Sequence, residues 1–452
     1  LRLEDNTGLF HALSHAKKSN VNVLPIFIFD QNILNQLEDK LDRRVDFIHQ
    51  TICSLQEQLI AAGKSLQVEY GKPIEVFEKL TSKYAVTDVY TNHDYEPYAQ
   101  ERDAAIEQLL ATQKIGFSTF KDQVVFEKFE VVKDDGKPYT VFTPYSRKWK
   151  AYLANNPIKI FETKKYSKNY FQYTAEPMPT LASMGFTGSA ATSFPAGILD
   201  VNIVKKYTDN RNFPAIENST SKMGVHLRFG TVSVREILLQ ALPLNETYVN
   251  EIIWRDFYHA ILFHFPKVGK GESFKKEYDF IKWRNNESEF EHWCNGTTGY
   301  PIVDAGMREL NATGFMHNRV RMIAATFLVK DLHLEWQHGE RFFADHLVDY
   351  DPASNAHGWQ WTAGTGTDAS PYYRVFNPIE QGKKFDPDGT YIRKYVPELA
   401  HLSGRDIHEP WLYLDGYSQG YVERIVDHAV ERIESLERLK EIKSEQPLAP
   451  DA

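Results

Sequence analysis

An α/β domain built on a parallel sheet, followed by an all-helical domain, is the fold class this sequence predicts. Three observations lead there. Strand-like and helix-like segments alternate up to about residue 120, strand signals largely vanish beyond Pro195, and seven of the eight tryptophans follow residue 250. Alternation of strand, helix and strand implies parallel strands wrapped by helices, because a parallel pair needs a crossover connection.

In order along the chain, Leu1 to Asn6 reads as the loop after a strand that the sequence does not include, and Asn6 or Thr7 caps a helix running to about Ser19. Residues 21–29 (VNVLPIFIF) form a buried strand, and residues 41–62 have a helical spacing that ends at Gly63. A strand at 65–70, a helix opened by Pro73, a strand at 86–92, a helix at 97–112 and a strand at 115–120 follow. No Gly-rich dinucleotide fingerprint follows any of these strands, which leaves that kind of site unsupported. Residues 121–195 read as an interdomain connection, with a turn at Asp134, Asp135 and Gly136 and a short helix at 145–153. Helical patterns then cover 232–241, 246–265, 302–311, 318–332, 340–347 and 421–443. The expected division is therefore 1–120, a connection at 121–195, and a helical domain at 196–452.

The composition excludes several classes. At 452 residues and 52.2 kDa, with 42% hydrophobic and 25% charged residues, the chain has no run approaching the ~18 apolar residues of a membrane span. Cys53 and Cys294 stand far apart, so neither a disulfide framework nor a Cys-based zinc site is expected; a reducing compartment, the cytoplasm, is. The net charge, 52 minus 61 or −9, speaks against a partner held by bulk positive charge.

Four constellations carry chemistry. Tyr207 and Arg211 precede Thr220, Ser221, Lys222, Met223 and Gly224, where hydroxyls before a helix start suit a diphosphate or simply cap the helix. Glu251, Trp254, Arg255 and Tyr258 fall at i, i+3, i+4 and i+7, which puts a carboxylate, an indole and a guanidinium on one helical face. That face lines a pocket or carries an exposed Glu251–Arg255 ion pair. In His317-Asn318-Arg319-Val320-Arg321 the two arginines cannot share a face; an inward one needs a carboxylate, which Asp349 or Asp351 supplies, and the alternative is a surface pair. Finally Asn355-Ala356-His357-Gly358-Trp359-Gln360-Trp361, with the Gly364 to Asp368 turn and Pro371-Tyr372-Tyr373-Arg374, suits a flat aromatic ligand better than a core. The whole 349–377 stretch is too rich in Gly, Asn and Trp for an idle loop. His357 has no ligand-spaced partner, so no metal site is expected.

These blocks, together with Leu1 to Asn6, Thr298 to Asp304 and Met316 to Met322, occur in the order found in the photolyase and cryptochrome flavoproteins, and the sequence most resembles the class I cyclobutane pyrimidine dimer photolyases. The resemblance spans essentially the whole chain and implies an N-terminal α/β domain and a helical domain that holds FAD. By that likeness Tyr207, Thr220, Ser221, Lys222, Met223, Gly224, Asn318, Arg321, Asp349, Asp351 and Asn355 contact the flavin, Asn355 beside N5 and Arg321 paired with Asp349. Trp359, Trp336 and Trp283, from the flavin outward, match an electron-transfer chain. Trp293 and Trp411 are left as packing. The implied reaction is light-driven repair: reduced FAD gives an electron to a pyrimidine dimer in UV-damaged DNA, the cyclobutane ring opens and the electron returns. Trp254 and Trp361 clasp the flipped dimer, Glu251 hydrogen-bonds it, Met322 packs on it, and Arg211, Arg255, Arg319, Arg374 and Lys384 hold phosphates or the cavity rim.

Two departures stand out. Gly224 replaces a Ser found in many relatives. Tyr98-Ala99 and Gly269-Lys270 replace the Asn-Glu and Cys-Lys pairs of folate-binding relatives, which disfavours a folate antenna and leaves a deazaflavin, another flavin or no second chromophore open. A cryptochrome-type light sensor, a (6-4) photoproduct repair enzyme and a two-domain oxidoreductase are the rival readings. Asn355 and the short distance from the last helix to Ala452 speak against the first, the block around Met316 against the second and the missing fingerprint against the third. A monomer is expected.

Overall fold

The structure is a computed structural model that describes residues 1–174, 176–188, 193–371 and 373–444. Tyr372 of the fourth constellation lies outside them. The chain forms two compact units: one comprises Leu1–Gly136, Arg147–Leu199 and Lys222–Pro243, the other Lys137–Ser146, Asp200–Ser221 and the chain from Leu244 onward.

In the first unit the strands are β1 (Ile26–Asp30), β2 (Gln67–Gly71), β3 (Asp88–Asn92) and β4 (Gly116–Phe120). β1 pairs parallel with β2 from Ile26↔Gln67 to Asp30↔Gly71, and β3 with β4 from Asp88↔Gly116 to Asn92↔Phe120. Their helices begin where the caps demand. Asn6 accepts from the Leu9 amide ahead of Thr7–Ser19, Asp42 from the Arg44 amide ahead of Arg43–Ala61, and Pro73 and Pro97 open Pro73–Lys83 and Pro97–Thr112. One parallel sheet was the simplest expectation; the strands form two parallel pairs instead. β1 and β3 each pair on one edge, and a cavity of about 780 Å3 lined by Ile26, Phe27 and Ile28 of one and Val89, Tyr90 and Thr91 of the other separates them.

Distant segments of this unit meet at charges. Arg235, which is 6% exposed, sends Nε to Asp5 Oδ2 (2.9 Å) and Nη2 to Asp122 Oδ1 (2.8 Å), and Arg2 reaches both oxygens of Asp122 at 2.8 Å. Thr7 adds its amide and hydroxyl to the same carboxylate. Every oxygen of a buried charge is thus met, the condition under which burying one is tolerable. The network gathers the N-terminal loop, Asp122 two residues after β4 and the helix Val234–Ala241.

The second unit is helical. Its main helices are Glu246–His264, Glu287–Asn295, Pro301–Thr313, Asn318–Lys330, Trp336–His346, Pro352–Ala363, Pro378–Phe385 and His428–Ser444. The core is aromatic, with Trp293, Tyr300, Phe327, Trp336, Phe343 and Trp359 all buried. Two expectations change. The tryptophan-rich stretch carries a helix, Pro352–Ala363: Asp351 caps it through the Ser354 amide (2.9 Å), proline opens it, and Gly364 ends it at φ 84°, where a side chain would be strained. The last helix starts at His428 rather than 421, because the preceding residues are held by other partners. Tyr421 donates to Asp304 Oδ2, and the Ile425 amide to the Thr298 carbonyl.

Candidate active site

The helix Glu246–His264 is capped by Asn245, whose side chain accepts from the Tyr248 amide at 3.1 Å. Ile252, Ile253, Asp256 and Phe257 are buried, while Glu251, Trp254, Arg255 and Tyr258 are half-buried, so the face read from the sequence is the one left partly open. Glu251 pairs with Arg211, not through the i, i+4 alternative. Arg211 lies 5.2 Å over the Tyr207 ring, Tyr207 meets Tyr248 edge-on at 5.0 Å, and the Tyr248 hydroxyl bonds Ser221 Oγ at 2.9 Å. Burial pushes the Glu251 carboxyl up, with Arg211 opposing, and raises the Tyr207 phenol far above its ordinary value. Trp254 lies flat against Phe142, centroids 3.5 Å apart and planes 3° apart.

The helix Asn318–Lys330 sends its two arginines to different partners, but both are half-buried, and the pair with Asp349 is not the buried one expected. Arg321 Nη2 meets both oxygens of Asp349 at 3.0 and 2.9 Å and its Nε donates to the Met316 carbonyl at 2.8 Å. Arg319 donates to Asn212 Oδ1 (2.7 Å) and lies 4.5 Å over the Phe385 ring; burial, then the neighbouring Arg211 charge, push its guanidinium down. Asn318, at the first position, is exposed, and Met322 is half-buried. His317 caps the helix and also meets Ser219 Oγ at 3.2 Å.

On Pro352–Ala363 the residues divide by face. Asn355 donates Nδ2 to the Glu340 carbonyl (3.0 Å) and to Glu340 Oε1 (2.9 Å), a partner that sequence reading missed. Burial raises the Glu340 carboxyl, and the bond from Asn355 opposes that. Asp351, besides capping, lies 3.5 Å from His259 Nε2. His357 stacks on Tyr258 at 4.9 Å, and burial lowers its pKa to about 4, so it is neutral. Gln360, expected beside a ligand between two indoles, is wholly buried. It accepts from the Phe274 amide (2.9 Å) and donates to the Glu272 carbonyl (3.0 Å), which makes it a structural tie. Trp359 is 2% exposed and Trp361 half-buried.

Trp336 and Trp359 sit in the aromatic core, and Trp283 packs half-buried against it. Gly339 makes room for Trp359: a Cβ there would lie 2.1 Å from the indole Cη2. Trp293 meets Trp359 edge-on at 6.0 Å and donates its N–H to the Ala324 carbonyl, and Arg424 covers Trp411 at 4.2 Å. Arg374 and Lys384 are exposed. Thr220 and Ser221 belong to the second unit; Lys222 (φ 53°), buried Met223 and Gly224 belong to the first. Among the described residues His333, Glu431 and Glu434 are the group whose spacing suits a cation, yet the Arg284 guanidinium bonds both glutamates.

This donor set fits a flavin dinucleotide. The Asn355 amide has its N–H side anchored on Glu340, which leaves the carbonyl oxygen as an oriented polar atom, and a guanidinium held by Asp349 keeps a positive charge that is 27% exposed. The model of the FAD binding domain of DNA photolyase matches residues 248–441, and that of the DNA photolyase domain residues 1–163. The chain belongs to the DNA photolyase family. A deoxyribodipyrimidine photo-lyase from Alkalihalophilus pseudofirmus is 36% identical over 97% of this chain and 96% of its own. Two solved structures are similar throughout. A bacterial class III photolyase from Agrobacterium tumefaciens has a TM-score of 0.86 and 32% identity, covering 98% of this chain and 96% of its own. An archaeal photolyase from Sulfolobus tokodaii, solved with two FAD molecules, has a TM-score of 0.81 and 33% identity, covering 97% of each. As a photolyase the protein is a light-dependent DNA-repair flavoenzyme acting on UV-damaged DNA. No helix among the described residues is long and apolar enough to cross a membrane.

Proposed function

We propose that this photolyase splits cyclobutane pyrimidine dimers, with the half-open face of Glu251, Trp254, Arg255 and Tyr258 as the lesion wall. The observation that carries this is the company that face keeps: the same unit holds the Arg321–Asp349 pair and the Asn355–Glu340 anchor. When bound, fully reduced FAD supplies under blue light the one electron that opens the ring and accepts it back. Enzymes that work on a base take it out of the stack, photolyases among them. Trp254 and Trp361 then offer the indole faces that replace lost base stacking. Glu251, its carboxyl raised by burial, hydrogen-bonds the pyrimidine edge, and Met322 fills the space beside it. Arg211 holds Glu251, while Arg255, Arg319, Arg374 and Lys384 meet phosphates.

Around the flavin, Tyr207, Thr220, Ser221, Lys222, Met223, Gly224 and Asn318 supply the hydroxyl, amide and apolar contacts, Arg321, Asp349 and Asp351 the charges, and Asn355 the acceptor at N5. Trp359, Trp336 and Trp283 carry electrons inward. A second chromophore, if one binds, is a deazaflavin or a flavin: Tyr98 donates to Asp30 and accepts from Asn32, a pairing unlike the Asn-Glu of folate binders. One chain is the working unit, in the cytoplasm, in keeping with two free thiols. Photoreduced protein mixed with a dimer-containing oligonucleotide under blue light is expected to clear dimers above a dark control. No loss of dimers sinks the reading and favours a light sensor.

A further inference from the structure

Trp254 and Trp361 stand on two helices that the Tyr258–His357 stack already holds together, so what remains to be set is the orientation of the Trp254 indole. We infer that residues 140–142 are a strap that sets it, with Phe142 a positioning residue for Trp254; this rests on the reading that the two indoles take the lesion between them. The strap has two attachments, a ring stack and a pair of hydrogen bonds. At one, the Phe142 ring covers a full face of the Trp254 indole, 3.5 Å away and within 3° of parallel, and Phe257 supports both rings edge-on at 6.0 and 5.8 Å. At the other, the Phe142 amide donates to Asp368 Oδ2 (3.0 Å), and the Thr140 carbonyl accepts from Thr367 Oγ1 (2.6 Å). Thr367 and Asp368 belong to the turn that leaves the Trp361 helix. That turn is itself pinned: the Thr365 and Gly366 amides donate to the Gln360 carbonyl and the Ser370 amide to the Trp361 carbonyl.

Two features separate this arrangement from core filling. Phe142 and Trp254 are both only half-buried, whereas Phe257 and Ile253 on the same helix are wholly buried. Face-to-face overlap is also not the arrangement aromatic rings prefer, and the Asp368 and Thr367 side chains hold the strap's backbone where the overlap occurs. Asp368, which accepts from the Phe142 amide, holds a φ of 45°, a conformation uncommon outside glycine. With one indole face covered, a pyrimidine stacks only on the other, and an indole already immobile loses little freedom when it does.

The test compares affinities for dimer-containing and undamaged oligonucleotides. Phe142→Leu keeps the bulk and removes the flat ring; the affinity ratio is expected to fall about five- to tenfold. FAD content and repair per photon at saturating substrate should stay unchanged, and Phe142→Tyr should restore the ratio. Asp368→Gly, which keeps the positive φ and removes the anchor, is expected to lower the ratio as well. If Trp254→Ala keeps its discrimination, the clasp itself is wrong. If Trp254→Ala loses it while Phe142→Leu and Asp368→Gly keep it, the clasp stands and the strap is overturned. Loss of FAD from Phe142→Leu, with Asp368→Gly discriminating normally, also overturns the strap.

Discussion

A cluster of charges joins distant segments in the first unit, and a cluster of rings joins them in the second, where ion pairs such as Arg321–Asp349 also act. Asp5, Asp122 and Arg235 bring three segments together through directed bonds between ions, whereas Trp293, Phe343 and Trp359 do so by one stacked and two edge-on contacts at 5.0 to 6.0 Å. An ionic tie is all or nothing, since removing one partner strands the other in a low-dielectric site. An aromatic tie degrades by volume and shape. The two clusters should therefore fail differently when perturbed.

The largest effect is expected from Asp122→Ala, which leaves Arg235 and Arg2 short of a carboxylate. A loss of about 3–5 kcal/mol is expected, read from denaturant unfolding; a loss below ~1 kcal/mol would remove the contrast between the clusters. Next is Gly339→Ala, which pushes a methyl into Trp359. It should cost about 1–3 kcal/mol of overpacking and slow photoreduction of oxidised FAD, and unchanged photoreduction would show that Trp359 can move aside freely. Trp359→Phe keeps an aromatic ring in the core, so its stability loss should be smaller still, about 1 kcal/mol. It should block photoreduction while sparing repair by enzyme that is already reduced, and photoreduction at the normal rate would reveal another route.

The smallest effect is on pH. Burial raises the Asp122 carboxyl, but Arg2 and Arg235 more than offset it, so it sits below the usual range. Its stabilisation is present above its unfolded value and is lost as pH falls through the folded one. In the second unit burial holds Asp331 up at about 6, with His428 opposing. Its contribution is full below its unfolded value and is lost as pH rises through about 6. From pH 7 to about 4 the segment around Asp331 should gain stability, while the neutral His357, its pKa held down at about 4, acts in the opposite direction on its own helix; below about 4 the network at Asp122 should weaken. Hydrogen exchange at residues 5–8 and 233–237 against 327–332 reads the difference; identical pH profiles would contradict it.

Local structure was largely legible. Helices such as Pro97–Thr112 and Thr7–Ser19 announce themselves by proline, caps and spacing, β1 by its apolar run and the other strands by their place between helices. The helix Pro352–Ala363 was hidden because Gly358, Asn355 and two tryptophans mask its period, although Asp351-Pro352 before it and Gly364 after it were signals at hand. The splitting of Arg319 and Arg321 followed from helical geometry. What could not be read were partners set by the fold alone: Glu340 for Asn355, Phe142 for Trp254, Asp122 for Arg235. Nothing periodic links residues 112 or 113 positions apart, as in the last two pairs. Gln360 shows the converse, a residue with a ligand-like neighbourhood that serves the backbone.

Trp359 and Trp361 are two residues apart on one helix and so point about 200° from each other, one into the core and the other toward the open side. On the roles proposed above, with Trp359 relaying electrons and Trp361 facing the lesion, replenishing the enzyme and using it draw on opposite flanks of the same twelve residues. A descendant in which the Trp361 flank decayed would still respond to light and would have lost only its interest in damage, so one short helix is a place where a repair enzyme and a photoreceptor can part ways.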